Sequence, residues 1–160
     1  MYEAYVKDVH RYLLSLSRDP YLAEDLVQET FFRAYLYMEQ LNEEKVKMWL
    51  FRVAYHAFID HKRKQKRSVI KDNDFFAQLK EEQSTEAQAV LNDQIRELKV
   101  WIDKLPEKQK NAVLLVDFHD LSYSDASAIM EVSVAHVKIL LFRGRQFLRQ
   151  QKVERVESDE

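Results

Sequence analysis

Cysteine is absent from this 160-residue chain, glycine occurs once and proline twice. Without thiols there are no disulfides and no thiolate metal sites, and a reducing compartment is compatible with the sequence. The scarcity of glycine (Gly144) and proline (Pro20, Pro106) disfavours hairpins and barrels, which draw on both residues at their turns, and favours helices. No apolar run approaches the ~18 residues of a membrane span. The N-terminus lacks the charged-then-apolar pattern of a signal peptide. A soluble, cytoplasmic protein is therefore expected. His10, His56, His61, His119 and His136 show no zinc-protease spacing, and there is no glycine-rich phosphate loop. Asp25 and Glu29 can pair as carboxylates, but no other group converges on them. The sequence thus gives no reason to expect catalysis, a metal, a cofactor or a small-molecule substrate.

The chain does have ample apolar material, at 46% hydrophobic and 32% charged residues, enough for one domain or two small ones. Its 25 basic and 27 acidic residues nearly cancel, so the distribution of charge carries the information. Lys62, Arg63, Lys64, Lys66, Arg67 and Lys71 form a run with no acid among them. Residues 72–107 are mainly acidic, 132–153 carry bases only, and 154–160 are acidic again.

Helical spacing of Tyr5, Val9, Tyr12, Leu13 and Leu16 predicts a first helix over about 2–16. Asp19-Pro20 starts a second, because the carboxylate caps free N–H groups and proline fits the first turn. This helix is expected to reach about Gln40, with Leu22, Leu26, Phe31 and Tyr35 inward and Asp25, Gln28, Glu29 and Arg33 outward. The stretch 40–47 reads as a loop. Trp49, Val53, Ala57 and Phe58 then open a strong helix that ends in the basic run, with Trp49 anchoring it in the core. The helix dipole favours cations at this end by ~0.3–1 kcal/mol each, which accounts for one or two of them but not the whole run.

Residues 68–84 read as a linker, with a short helical piece at "DFFAQL". Ser84 or Thr85 caps the next helix, whose buried stripe is Leu91, Ile95, Leu98, Ile102 and Leu105. Pro106 opens a further helix containing Ala112, Val113, Leu115, Val116 and Phe118. Ser122 with Asp125 reads as a capping box for a short helix from Tyr123 to about Met130. A tight "EVS" turn follows, and Ser133 caps a basic helix that continues to about Gln151. This is a helix-turn-helix outline, although its turn lacks glycine.

Three stretches in this order, "LAEDLVQETFFRAY" (22–35), "KMWLFRVAYHAFIDHKRKQKR" (47–67) and "LPEKQKNAVLLVDFHDLSYSDASAIMEVSVAHVKILLFRGRQFLR" (105–149), resemble a bacterial extracytoplasmic-function (ECF) sigma factor of the sigma-70 family. The resemblance implies an all-α fold of two small helical domains. Region 2 would span residues 1–67, binding core RNA polymerase and opening the −10 promoter element. Region 4 would span 85–152, reading the −35 element, with 68–84 as a flexible linker and 153–160 as an acidic tail.

The resemblance also assigns roles. Asp25, Gln28 and Glu29, at i, i+3 and i+4, share a face that would bind polymerase. Asn42 and Lys45 are polar candidates in a base-capturing loop, and Arg52, Tyr55, His56, Asp60, Lys62, Arg63, Lys66 and Arg67 lie near −10 DNA, with Lys64 as a further phosphate contact. Tyr55 reads equally as a core residue. Ser133, His136, Lys138, Phe142, Arg143 and Arg145 lie along the −35 recognition helix, with Lys138 and Arg143 in the groove. The chain departs from the family pattern at Ala135-His136 (usually Gly-Thr), Ile139-Leu140 (usually Ser-Arg), Gly144 (usually Ala) and His56 (commonly Asn). Ile139 and Leu140 are either buried or in contact with thymine methyl groups, and Gly144 points to close helix packing. The implied partners are core RNA polymerase, promoter DNA and a membrane-linked anti-sigma factor, in a stress response. A stand-alone helix-turn-helix regulator and a helical adaptor without DNA binding are the alternatives.

Overall fold

The computed structural model describes residues 3–37, 43–67 and 93–158, and every regular element among them is helical. The first module begins with α1 (Glu3–Ser17), which buries Val9, Tyr12, Leu13 and Leu16 at the spacing of one helical face. In α2 (Pro20–Leu36), Asp19 is the N-cap. Its Oδ1 accepts from the N–H groups of Tyr21 at 3.1 Å and Leu22 at 3.3 Å, with Pro20 in the first turn. The helix ends at Leu36 with Tyr37 as C-cap, short of the expected Gln40.

The buried stripe of α2 is also rotated from the expected one. It consists of Ala23, Leu26, Thr30 and Ala34, while Leu22 and Phe31 are half-buried and Tyr35 is 73% exposed. Three of those four side chains are small, so α2 can approach its neighbours closely only on this face. The hydroxyl of Thr30 donates to Leu26 O at 2.7 Å, so its burial leaves no orphan polar group.

The third helix, α3 (Glu43–Arg67), starts earlier than expected. Most of the stretch assigned to a loop is its first turn, because Val46 continues the buried row Leu50, Phe51, Ala54, Ala57 and Phe58. Lys45 is therefore a helix residue, and Asn42 lies outside the described residues. Trp49 is only half-buried, edge-on to Tyr37 with ring centroids 6.3 Å apart. It sits at the rim of the core.

The second module contains α4 (Asp93–Lys104), α5 (Glu107–Val113) continued by a π-helical segment (Leu114–Phe118), α6 (Tyr123–Met130) and α7 (Val134–Ser158). The expected short linker helix, the caps at Ser84 or Thr85, and Leu91 fall outside the described residues. In α4, Ile102 is buried, whereas Ile95 is 44% exposed. Ser122 Oγ accepts from Asp125 N at 3.0 Å, and Ser133 Oγ from His136 N at 3.1 Å, so both expected caps form.

The turn between α6 and α7 closes without glycine because Glu131 adopts the left-handed conformation, φ 57. Ser127 Oγ braces it by donating to Val132 O at 2.7 Å. The last helix runs on to Ser158 rather than stopping near Gln151. Gly144 lies where α7 crosses α5, and a Cβ there would stand 2.9 Å from Val113 Cγ2. The expected close packing is present. The two modules touch through α1 and α3 on one side and α4, α5 and the α6–α7 turn on the other.

Candidate nucleic-acid interface

Asp25, Gln28 and Glu29 are all exposed on α2. Glu29 accepts from Arg33 at 2.5 Å, an ion pair one turn along the helix. Phe32 (65% exposed) and Leu36 (61%) continue the same ridge at i+3, i+4 and i+8 from Gln28 and Glu29, and Tyr35 flanks it. Sequence reasoning missed this aromatic extension because it placed Tyr35 inside. The signal was the row of small residues at 23, 30 and 34, which marks the opposite face as the packing face. Beside the ridge is a groove of about 390 Å³ between α2 and α3, with Asp25 and Glu29 on one wall and Arg63, Lys64 and Arg67 on the other.

Along α3 the candidates divide between two environments. Lys45, Arg52, Asp60, Arg63, Lys66 and Arg67 are exposed. Tyr55, His56 and Lys62 are half-buried and turn toward the second module. Lys62 Nζ lies 2.8 Å from Glu107 Oε2 and 5.2 Å from the Phe58 ring centroid. His56 Nε2 lies 3.6 Å from Glu131 Oε1. Burial pushes the Tyr55 hydroxyl pKa up, and the neighbouring carboxylates of Glu107 and Glu131 add to the rise. Both environments lie on one helix, but only the first is open to a duplex in this arrangement.

On α7, Lys138, Phe142 and Arg143 are exposed, Phe142 by 67%, while His136 is half-buried and Ser133 serves as the cap. The two readings of Ile139-Leu140 separate: Leu140 is buried and Ile139 is 49% exposed. Arg145 is held within its own module. Its guanidinium forks onto Asp117, Nε to Oδ2 at 3.0 Å and Nη2 to Oδ1 at 2.6 Å, tying α7 to the π-helical segment. That pair raises the guanidinium pKa further above its already high value. Tyr123, Lys138, Phe142, Arg145 and Arg149 line an open cavity of about 400 Å³ beside it. Among the described residues there is no acid–histidine cluster fit for a metal, and no helix is long and apolar enough to cross a membrane.

A helical module carrying a cationic helix end, beside a second module built on a helix-turn-helix with outward basic and aromatic side chains, is the architecture of a two-module DNA-binding transcription protein. The family model for Sigma-70 region 2 matches residues 1–68, and that for Sigma-70, region 4 matches residues 95–148. The ECF RNA polymerase sigma factor SigM of Bacillus subtilis is 41% identical over 151 residues, covering 93% of this chain and 91% of that protein. The ECF RNA polymerase sigma factor EcfG of Rhodopseudomonas palustris is 30% identical over 146 residues, covering 91% and 79%. The solved structure of the sigma factor RpoE in complex with the anti-sigma factor NepR from Bartonella quintana superposes with a TM-score of 0.74 at 23% identity, covering 93% of this chain and 92% of that one. The chain belongs to the ECF sigma factors of the sigma-70 family, whose members direct RNA polymerase to promoters.

Proposed function

We propose that this chain works in the cytoplasm, catalyses nothing itself, and places core RNA polymerase on a set of stress-response promoters. In this reading residues 1–67 bind polymerase and open the −10 element, residues 85–152 read the −35 element, and residues 68–84 join them. The observation that carries it is the outward ridge on α2, where Asp25, Gln28 and Glu29 stand beside exposed Phe32 and Leu36. A mixed ridge of this kind suits a protein partner, since polar groups give specificity while aromatic side chains supply most of the contact energy.

Arg52, Asp60, Arg63, Lys66 and Arg67 then meet −10 DNA, joined by Tyr55, His56 and Lys62 once these are uncovered. Lys138, Phe142 and Arg143 meet the −35 groove. Ser133 and Arg145 fix the recognition helix, and His136 lies at its groove-entering end. Asn42 and Lys45 remain candidates for holding a displaced base. The RpoE structure was solved with the anti-sigma factor NepR, and an inhibitor of that class, tethered at the membrane, fits this chain's regulation.

The test is capture of core polymerase by the purified chain, with run-off transcription from a promoter library. Wild type should be captured and should create new start sites. Asp25→Ala, Gln28→Ala and Glu29→Ala combined should lower capture by ~10-fold or more, as expected when a charged hot spot is truncated. Tight binding to duplex DNA without polymerase, and no new start sites with it, would favour a stand-alone regulator instead.

A further inference from the structure

The outward face of the recognition helix carries an apolar side chain at its centre. Ala135, Lys138, Ile139, Phe142, Arg143 and Gln146 of α7 are all exposed. At ~100° per residue they share one arc, with Ile139 between Lys138 and Phe142 on one flank and Arg143 on the other. Ile139 is 49% exposed and Phe142 67%. Three residues apart on a helix, the two side chains are neighbours on one ridge.

The rest of α7 fixes where this ridge points. Val137, Leu140 and Leu141 are buried and face inward. Ser133 caps the first turn, Gly144 brings the helix close against α5, and Arg145 forks onto Asp117. Ile139 is itself β-branched, so in a helix its χ1 stays near one rotamer. Its side chain is thus a stiff apolar prong in the second turn of the helix, within the part that enters a major groove.

Packing within the module accounts for the buried apolar residues of α7 but not for this one. A side chain with neither donor nor acceptor cannot read the hydrogen-bonding pattern of a base pair. The apolar group that the major groove offers is the C5-methyl of thymine. Against a G·C pair the same prong would strip water from the guanine O6 and N7 and the cytosine amino group without replacing their hydrogen bonds, which carries a penalty. Attraction and penalty therefore select the same base. The charge around the ridge favours DNA as its occupant. No acidic residue occurs between Val132 and Val153, and Lys138 and Arg143 flank Ile139 as exposed cations.

We propose that Ile139 is a specificity-determining residue of −35 recognition, selecting thymine at one base pair by seating its side chain on the C5-methyl group, with Phe142 closing one side of the contact. The proposal rests on the sigma-factor reading and deepens it. Lys138 and Arg143 hold the helix in the groove by charge and hydrogen bonds. Ile139 discriminates by shape and desolvation at a place where the protein has no hydrogen bond to give.

Thymidine and deoxyuridine differ only in that methyl group, which permits a direct test. Core polymerase carrying the full chain selects −35 sequences from a promoter library randomised at that element. Each thymine of the selected element, on either strand, is then replaced in turn by deoxyuracil, and binding is measured by competition. With wild type, one replacement should weaken binding about three- to fivefold, the worth of one buried methyl group. With Ile139→Ser the same replacement should leave binding unchanged, and selection should no longer favour thymine there. Ile139→Val keeps a branched apolar tip and should retain both effects. Both substitutions fall on an exposed side chain, and circular dichroism verifies that the variants fold.

The proposal is overturned if no replacement weakens wild-type binding, which would leave the apolar ridge to a protein partner. It is equally overturned if Ile139→Ser loses as much as wild type at the same position, which would assign the methyl contact to another side chain. A wild-type chain that selects no promoter with polymerase overturns the sigma-factor reading itself. Promoters selected without dependence on the methyl group leave that reading standing and remove Ile139 from it.

Discussion

Gly144→Ala offers a sharp check on how the recognition helix is seated. The substitution has two opposed effects. Alanine in a helix interior gains ~1 kcal/mol over glycine through propensity alone. The new methyl would stand 2.9 Å from Val113 Cγ2, 3.7 Å from Gln109 O and 3.8 Å from Gln109 Cβ. The last two are ordinary contacts, but the first is shorter than the ~3.5–4.0 Å optimum for carbon pairs. Val113 is 1% exposed and β-branched, with one favoured rotamer in a helix, so it cannot swing aside. The two helices must move apart, and overpacking of this kind costs ~1–3 kcal/mol.

Subtracting the propensity gain leaves a net loss of about 1 kcal/mol. Urea unfolding followed by far-UV circular dichroism measures it as a lowered midpoint at unchanged slope. Val113→Ala alone should also destabilise, by ~1–3 kcal/mol, through its cavity. Combined with Gly144→Ala it should cost less than the sum of the two, because each change makes room for or fills the other, with a coupling of about 1 kcal/mol or more. A stabilising Gly144→Ala, additive with Val113→Ala, would refute the close crossing of α5 and α7.

Two further outcomes are expected. Lys138→Ala and Arg143→Ala, made in the chain bound to polymerase, should each weaken −35 binding. A residue reading a base should cost ~1–3 kcal/mol at one promoter position, and one holding phosphate should lower the salt slope by about 1, both measurable by titrating promoter variants over a salt series. The His119 pKa is pushed down by burial, with Asp8 and Asp120 opposing and Lys47 and Arg11 assisting. The folded state therefore binds fewer protons than the unfolded one below the ordinary value of ~6.5, so stability should be unaffected by this group above about pH 7 and should fall as the pH drops below it. His119→Gln should show a smaller loss of urea midpoint between about pH 7.5 and 5.5 than wild type; equal losses would contradict the assignment.

Local chemistry made much of this fold legible. Asp19-Pro20, Ser122 and Ser133 cap helices within a few residues of themselves, and all three act as the sequence implies. Features that depend on neighbours were not legible. In α2 the larger apolar residues suggested an inward Tyr35, but close packing selected the face bearing Ala23, Thr30 and Ala34. The single glycine suggested few sharp turns, yet Arg18, Asp120 and Glu131 all take φ 57. Nor does periodicity set the register between modules: Tyr12 and Asn111 meet across 99 residues, and Lys62 and Glu107 across 45. The helix-turn-helix and the polar part of the α2 ridge (Asp25, Gln28 and Glu29) were legible in the sequence because each lies on one or two adjacent helices. The covering of Tyr55, His56 and Lys62 was not, because it needs both modules.

The placement of charge follows from the same geometry. The dipole of α3 accounts for one or two cations at its end, and Glu107 in the second module engages Lys62. Arg63, Lys66 and Arg67 remain exposed beyond it. A chain with a net charge of −2 has little long-range attraction for bulk DNA, and part of its cationic face is paired with its own carboxylates. Those pairs are partly exposed, so salt weakens them over a Debye length of ~8–10 Å. Salt also weakens DNA binding by the same cations. Raising it therefore weakens the contact between the modules without strengthening duplex binding. The exposed ridge of Asp25, Gln28, Glu29, Phe32 and Leu36 is made of α2 residues that none of the ion pairs between the modules uses, so a partner seated on it would leave that contact intact.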